Sequence, residues 1–534
     1  MSSSFTFVEA VLIGLLNYFL GCECALFGMI LPLNAMSLGY FFALIYGQDP
    51  VQGMIIGATI NLYYIGNIGL GGAVVQDQNF AMCVALPLAM KAGIDAKTAL
   101  MVAIPFGVLL GTCDSFRRLI NGRFHDPLMK AIDEMNVVKM YFWSWISGQI
   151  VILLFRGVLC TIILLALGGA IGNALQNLPP FISTTINTVG AMLPALGLII
   201  CATIIGQDEL IPFFFLGFLF MSITRMPSLA TAVIAGLIAI IYVNLSGKDS
   251  TAGSDTNLFK SEAREDAMLK TGDHIYLAYR TMSYHRLNNS LEYLYGNSYC
   301  MAVYPVLKKI YKDNKEGLKE AVKRHALPFM TEQSYGHCLT GAAMAMEEEI
   351  AKGNTAVTGE QIVTIKSSLM GPLAGFGDTI NWVTLFPICN SLFTSFCLEG
   401  QVWAMFWQYA FWAYYFLVFT LSGILGYNLG RSSIMALLKS GQLKKVMAGA
   451  GVLGMWMMGA LSAQYTSVQT ALVITAGDTV IQLQGLIDGL VPNLLAMIYV
   501  GVSFFYVKKG GTLIKVVLAT MVLAVIGTAI GFFA

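Results

Sequence analysis

Long stretches of this chain carry no charge. Gly157 to Gln207, Gly400 to Gly430, Val446 to Gly477 and Val516 to Ala534 contain no Asp, Glu, Lys or Arg. A helix needs roughly 20 apolar residues to cross the hydrocarbon of a bilayer. Each run is about long enough to cross once. The first is long enough to cross twice, with Leu178-Pro179-Pro180 as its turn. The pattern therefore predicts an all-α polytopic membrane protein. A first membrane block spans residues 1–245 and a second spans residues 367–534.

The polar positions collect between the blocks. Residues 246–268 have linker composition, rich in Ser, Gly, Asp, Lys and Glu. Residues 269–366 are polar yet keep the means to fold, including Tyr276, Tyr279, Tyr284, Tyr293, Tyr295 and Tyr299. From Val303 to Ala326 the run is amphipathic. Lysines such as Lys308, Lys312, Lys315 and Lys319 surround Val306, Ile310, Leu318 and Val322. The plain reading is a solvated helical face; the sharper one is a docking face for a partner or the lipid surface. Thr358-Gly359-Glu360-Gln361 has the form of a capping box opening a helix at Ile362.

Composition agrees with the pattern. The chain is 57% hydrophobic and 11% charged, with mean hydropathy +0.70. A soluble domain carries about 25% charge. The net charge of +1 gives no electrostatic handle for nucleic acid. The N-terminus has no basic segment before its apolar run, since the first Lys or Arg is Lys91, so no cleavable signal peptide is expected. The ten cysteines are scattered and read as packing residues. Cys22 and Cys24 flank Glu23, but no His or second Cys pair accompanies them, so no metal is expected.

Orientation follows from the cations. Fifteen of the 31 Lys and Arg lie between Lys248 and Lys366. A smaller cluster is Arg117, Arg118, Arg123, Lys130 and Lys139. The positive-inside rule places both on the cytoplasmic side of the cell membrane.

Several polar residues interrupt the apolar blocks, among them Asn61, Asn67, Asp77, Asp114, Asp378 and Asn381. Such groups must pair or line a wet cavity, so each is a candidate for function. The stretch Gly66-Asn67-Ile68-Gly69-Leu70-Gly71-Gly72 suggests a re-entrant hairpin.

Specific strings in the second half resemble a known family. They are Tyr304-Pro305-Val306-Leu307-Lys308-Lys309-Ile310-Tyr311, Ala321-Val322-Lys323-Arg324-His325, Ala345-Met346-Glu347-Glu348, and the run from Ile365-Lys366 through Met370-Gly371-Pro372-Leu373-Ala374-Gly375-Phe376-Gly377-Asp378. Together they resemble the IID component of the mannose-type sugar phosphotransferase system. Gly53 to Leu62, Gly71-Gly72-Ala73, Asp77 and Ile211 to Phe218 resemble the IIC component. Four positions depart from the family's usual pattern: Asn61 for Glu or Gln, Gln76 for Pro, Met330 for Asn, and Asn381 in place of an apolar residue.

The resemblance implies a fused IIC–IID permease of the mannose/fructose/sorbose class, with two related helical halves, re-entrant hairpins and an elevator-like motion. It implies a homotrimer and cytoplasmic IIA and IIB partners, with IIB phosphorylating a hexose or amino sugar. No cofactor and no phosphorylated catalytic residue are expected in this chain. Amides and carboxylates suit sugar hydroxyls. The candidate sugar residues are Asn61, Asp77, Thr331, Gln333, Lys366, Asp378 and Asn381. Each has a structural alternative. Asp378 and Asp77 can cap helices, Asp77 can pair with a lysine, Lys366 can snorkel and Asn61 can bond a neighbouring helix. The competing reading is an ion-coupled sugar transporter, which also uses carboxylates at broken helices.

Single cysteines placed between Lys308 and Lys323 should react with a membrane-impermeant maleimide only in inside-out vesicles. Reaction from outside intact cells would reverse the topology.

Overall fold

The computed structural model describes residues 4–22, 33–66, 76–176, 179–205, 208–246, 267–312, 314–355, 357–439, 441–476, 479–511 and 513–533. The glycine-rich stretch at 67–72, most of the linker, and Glu23 with Cys24 lie outside them.

The described residues are overwhelmingly helical. Five helical stretches among them are long and apolar enough to cross a bilayer, and a sixth if the bent pair Leu483–Leu490 and Leu494–Lys508 counts as one. One feature departs from the all-helical expectation. Val473–Ala476 pairs antiparallel with Thr479–Gln482. Val, Ile and Thr dominate both strands, and a two-residue connection between such runs favours a hairpin. The preceding helix, Gly441–Tyr465, ends before the uncharged run does.

Helix ends follow local chemistry. Thr358 and Gln361 form the predicted capping box, bonding each other's backbone N–H at 3.3 and 3.1 Å. Three helices are interrupted by wider π-type turns, at Phe142–Ile146, Leu153–Val158 and Asp378–Leu385. Such turns free backbone groups and re-aim side chains, and they recur at functional sites.

The two membrane blocks share one core. Phe80, Leu196, Phe214 and Phe218 pack with Met455, Met458 and Phe504. The Ile211–Thr224 helix crosses the Gly441–Tyr465 helix with backbones nearly touching. A Cβ at Gly217 would lie 2.1 Å from the Trp456 carbonyl oxygen, and one at Gly459 would lie 1.8 Å from that of Phe214. Only glycine admits that approach.

A second core lies under the polar middle. Leu128, Ile132 and Met140 of the first block join Tyr299, Leu307, Val322 and Leu339. The amphipathic run is two helices, Gly296–Ile310 and Lys315–His325. Val306, Ile310, Leu318 and Val322 face inward, while Lys308, Lys309, Lys312 and Lys315 are exposed. The first block's basic segment rests on this body. The His125 ring stacks on Tyr293 at 3.5 Å, its Nδ1 meets Asn297 Oδ1 at 2.7 Å, and Lys323 pairs with Asp133 at 2.7 Å. The segment that carries Lys130 thus lies against the polar middle.

An ionic network holds the middle to the helix Gly359–Gly377. The Arg324 guanidinium donates to both oxygens of Glu347, at 2.7 and 2.9 Å. The Tyr311 hydroxyl donates to Glu347 at 2.7 Å, and His325 Nε2 meets it at 3.0 Å. Lys366 Nζ lies 3.2 Å from His325 Nδ1 and sits over the rings of Tyr299 and Phe329. Lys366 has only protons to donate, so His325 accepts at Nδ1 and donates from Nε2. Burial alone would raise the Glu347 carboxyl, but the bonds from Arg324 and His325 hold it down to about 2. Burial, reinforced by the Lys366 cation, holds His325 down to about 4.

Stability follows with a definite sign. Below about pH 6.5 the unfolded chain protonates His325 and the folded chain does not, so stability falls from there toward pH 4. Glu347 adds a further loss below about pH 4.5. The melting temperature of the solubilised chain should therefore drop between pH 6.5 and 4, and a His325→Gln variant should show a shallower drop. Glu347→Gln should destabilise by about 1.5–3 kcal/mol, because half-buried Arg324 loses its charged hydrogen-bond partner. A melt unchanged by either substitution would remove the network from the fold's supports.

Candidate functional site

Two polar clusters are linked by one helical stretch. It runs through Asp378–Leu385 and Phe386–Leu398 and carries Asn381, Asn390 and Thr394.

The first cluster is built on Glu332. This carboxylate caps the Gln333–Ala351 helix, accepting from the Tyr335 backbone N–H at 2.9 Å. A carboxylate at that place also meets the positive end of the helix dipole. Asn381 Nδ2 donates to Glu332 Oε1 at 3.1 Å and to Ser334 Oγ at 2.7 Å. The Tyr415 hydroxyl donates to Glu332 Oε1 at 2.8 Å. Tyr414 donates to Asn381 Oδ1 at 3.3 Å and lies 3.2 Å from the Tyr335 hydroxyl. Glu332 and Asn381 are buried. A Cβ at Gly377 would come within 2.3 Å of Glu332 Oε2, so glycine there admits the carboxylate. Half-buried Asp378 follows directly.

Thr331 and Gln333 flank Glu332. Thr331 Oγ1 is buried and has no partner among the described residues. Gln333 Nε2 lies 3.1 Å from His285 Nε2. The amide must donate, so His285 carries its proton on Nδ1 and gives it to the Thr281 carbonyl.

The second cluster joins the halves. Asn61 Nδ2 donates to Asn390 Oδ1 at 3.0 Å and to Thr394 Oγ1 at 2.6 Å. Gln78 Nε2 donates to Asn61 Oδ1 at 2.6 Å. Asp77, next in the chain, caps the Gln78–Ala92 helix through Phe80 N–H at 2.9 Å. Its other oxygen pairs with Arg156, which lies in the π-type turn Leu153–Val158.

Of the seven residues that the sequence singles out, Asn381, Gln333, Thr331 and Asp378 gather around Glu332. Asn61 and Asp77 lie at the junction, joined through Gln78. Lys366 sits in the ionic network and touches neither cluster in the bonds described above. Sequence reasoning did not select Glu332, although it stands two residues after Met330, one of the positions that depart from the family's pattern. Its signal is a carboxylate just before a long helix. The contacts of Asn390 and Thr394 carry no local signal, being 329 and 333 residues from Asn61 in the chain.

The arrangement offers carboxylate, amide and tyrosyl groups in a mostly apolar setting. That mix suits a neutral polyhydroxy ligand, with rings to cover its apolar faces and polar groups to match its hydroxyls.

Comparison with known proteins gives the family. Residues 268–533 match the model for the PTS system mannose/fructose/sorbose family IID component. Residues 7–241 match that for the PTS system sorbose-specific IIC component. The sorbose-specific EIID component of Lacticaseibacillus casei is 31% identical over 257 residues, which cover 45% of this chain and 87% of that protein. The mannose-specific EIID component of Escherichia coli K12 is 28% identical over 251 residues, covering 45% and 87%. The mannose-specific EIIC component of the same organism is 25% identical over 201 residues, covering 38% and 75%. The matches to IIC and IID fall on successive, non-overlapping parts of one polypeptide. The chain belongs to the mannose/fructose/sorbose family of phosphotransferase-system permeases, as a fusion of its IIC and IID components.

Proposed function

We propose that the sugar, a hexose or amino sugar, binds where Glu332, Asn381, Tyr414 and Tyr415 meet. Thr331, Gln333 and Asp378 form its border, and Asn61 and Asp77 close it from the first half. Lys366 acts from the ionic network, through His325 and its own helix. The observation that supports this reading most is the Glu332–Asn381 pair, a buried carboxylate and amide at a helix cap and a π-type turn.

The chain has no need of its own phosphoryl carrier in this scheme. It presents the sugar to a phosphorylated IIB, which is recharged by IIA. The polar middle faces the cytoplasm, where those partners are. Residues 1–245 and 269–534 act as the two related halves, with 246–268 as their tether. Motion of one helical body against another, elevator fashion with re-entrant hairpins, carries the sugar across. Three fused chains assemble as a trimer.

The test is uptake in membrane vesicles, with and without the cytoplasmic phosphotransferase proteins and phosphoenolpyruvate. Mannose, fructose, sorbose and glucosamine are the sugars to compare. Sugar phosphate should appear inside only when the donors are present. Free sugar accumulating on an imposed ion gradient would favour the ion-coupled reading instead. Glu332→Gln and Asp378→Asn should each lower donor-dependent uptake on the order of 100-fold at unchanged membrane abundance, as expected for a lost charged hydrogen bond. Normal uptake by either variant removes that residue from the site.

A further inference from the structure

The junction between the halves has a fixed hydrogen-bond polarity. Thr394 Oγ1 lies 2.5 Å from the Asn390 carbonyl oxygen and 2.6 Å from Asn61 Nδ2. A hydroxyl has one proton to give, and a carbonyl only accepts. The Thr394 proton is therefore committed to its own helix, and its oxygen accepts from Asn61. That fixes the Asn61 amide. Its two hydrogens point to Thr394 and Asn390, and its oxygen points to Gln78.

The constraint passes outward to the flanking amides. Asn390 has turned Oδ1 toward Asn61, so its Nδ2 faces away. Gln78 has turned Nε2 toward Asn61, so its Oε1 faces away. Neither outward atom has a partner among the described residues. The junction thus presents one donor from the second half and one acceptor from the first, with a single amide between them.

We propose that Gln78 and Asn390 are specificity-determining residues that read two adjacent hydroxyls of the sugar. The inference rests on the permease reading above and extends its site by these two residues. Each sugar hydroxyl both donates and accepts. Asn390 Nδ2 donates to one hydroxyl, and Gln78 Oε1 accepts from its neighbour. A sugar lacking either hydroxyl leaves a polar group of the site unpaired, and such sites reject the analogue strongly. Because the pair is split between the halves, both must be in register for the diol to be read.

The experiment measures donor-dependent phosphorylation in vesicles, with whichever of mannose, fructose, sorbose or glucosamine the parent chain takes up best, and with its monodeoxy analogues. The parent should disfavour two analogues, deoxygenated at adjacent carbons, by about 100-fold or more in kcat/KM. Asn390→Leu and Gln78→Leu should each raise KM for the parent sugar about 10- to 100-fold, with kcat changed less than about twofold. Each variant should also cut the discrimination against one of the two analogues to a few-fold. Asn390→Asp keeps an acceptor for Asn61 and replaces the outward NH2 by a carboxylate oxygen that accepts and does not donate, so it should lose the same discrimination as Asn390→Leu. Variants that transport with the parent's discrimination overturn the inference alone. Variants that never accumulate in the membrane, Asn390→Asp included, assign the junction to assembly and also overturn it. A parent chain that phosphorylates none of the sugars with donors present overturns the permease reading and this inference with it.

Discussion

The Glu347 carboxylate is buried, and four hydrogen bonds from three side chains stand in for the water it lacks. Arg324 supplies two hydrogen bonds, Tyr311 and His325 one each. A buried ion pair is a poor source of net stability, because desolvation offsets the attraction. Its value here is geometric. Three side chains, Tyr311 at the end of one helix and Arg324 with His325 on the next, converge on one carboxylate, which ties those two helices to the one that carries Glu347. Lys366 then extends that arrangement to the Gly359–Gly377 helix, whose far end leads into Asp378 and Asn381. The polar middle is thereby mechanically continuous with the stretch that carries both polar clusters.

The same principle recurs with weaker groups along the stretch Asp378–Leu398. Glu332 is shared among a helix terminus, an amide and a tyrosine. Asn61 spends both hydrogens and its oxygen on protein partners. The chain therefore divides its polar interior into an ionic network under the middle region and neutral or singly charged clusters along one helical stretch.

Much of this was legible in the sequence, and the limits have physical causes. The long apolar helices and the capping box at Thr358 are local patterns, and local patterns survive folding. The strings around Arg324–His325 and Glu347–Glu348 were visible as motifs, but their bond to each other was not. Pairings between distant segments were beyond reach for the same reason. Asp77 with Arg156, Asn61 with Asn390, and His125 with Tyr293 each depend on tertiary packing. The alternative suggested for Asp77 named the right kind of interaction with the wrong cation, an arginine within a helix in place of a lysine. The hairpin at Val473–Gln482 is hidden because the uncharged run that enters it reads as a crossing. Hydropathy counts apolar residues and does not weigh the β-branched ones that favour strands.

The glycine crossing of Gly217 and Gly459 sets a timetable for biosynthesis. The Ile211–Thr224 helix reaches the membrane with a face shaped to receive backbone atoms of a helix not yet made. Roughly 240 residues separate the two glycines, which at about 5–20 residues per second is on the order of 12–50 s of translation. For that interval the face must rest against lipid or another temporary neighbour. If the halves were separate polypeptides, the wait would end only when two molecules met by diffusion in the membrane. In one polypeptide it ends when the same ribosome delivers the second helix, whatever the number of copies in the cell.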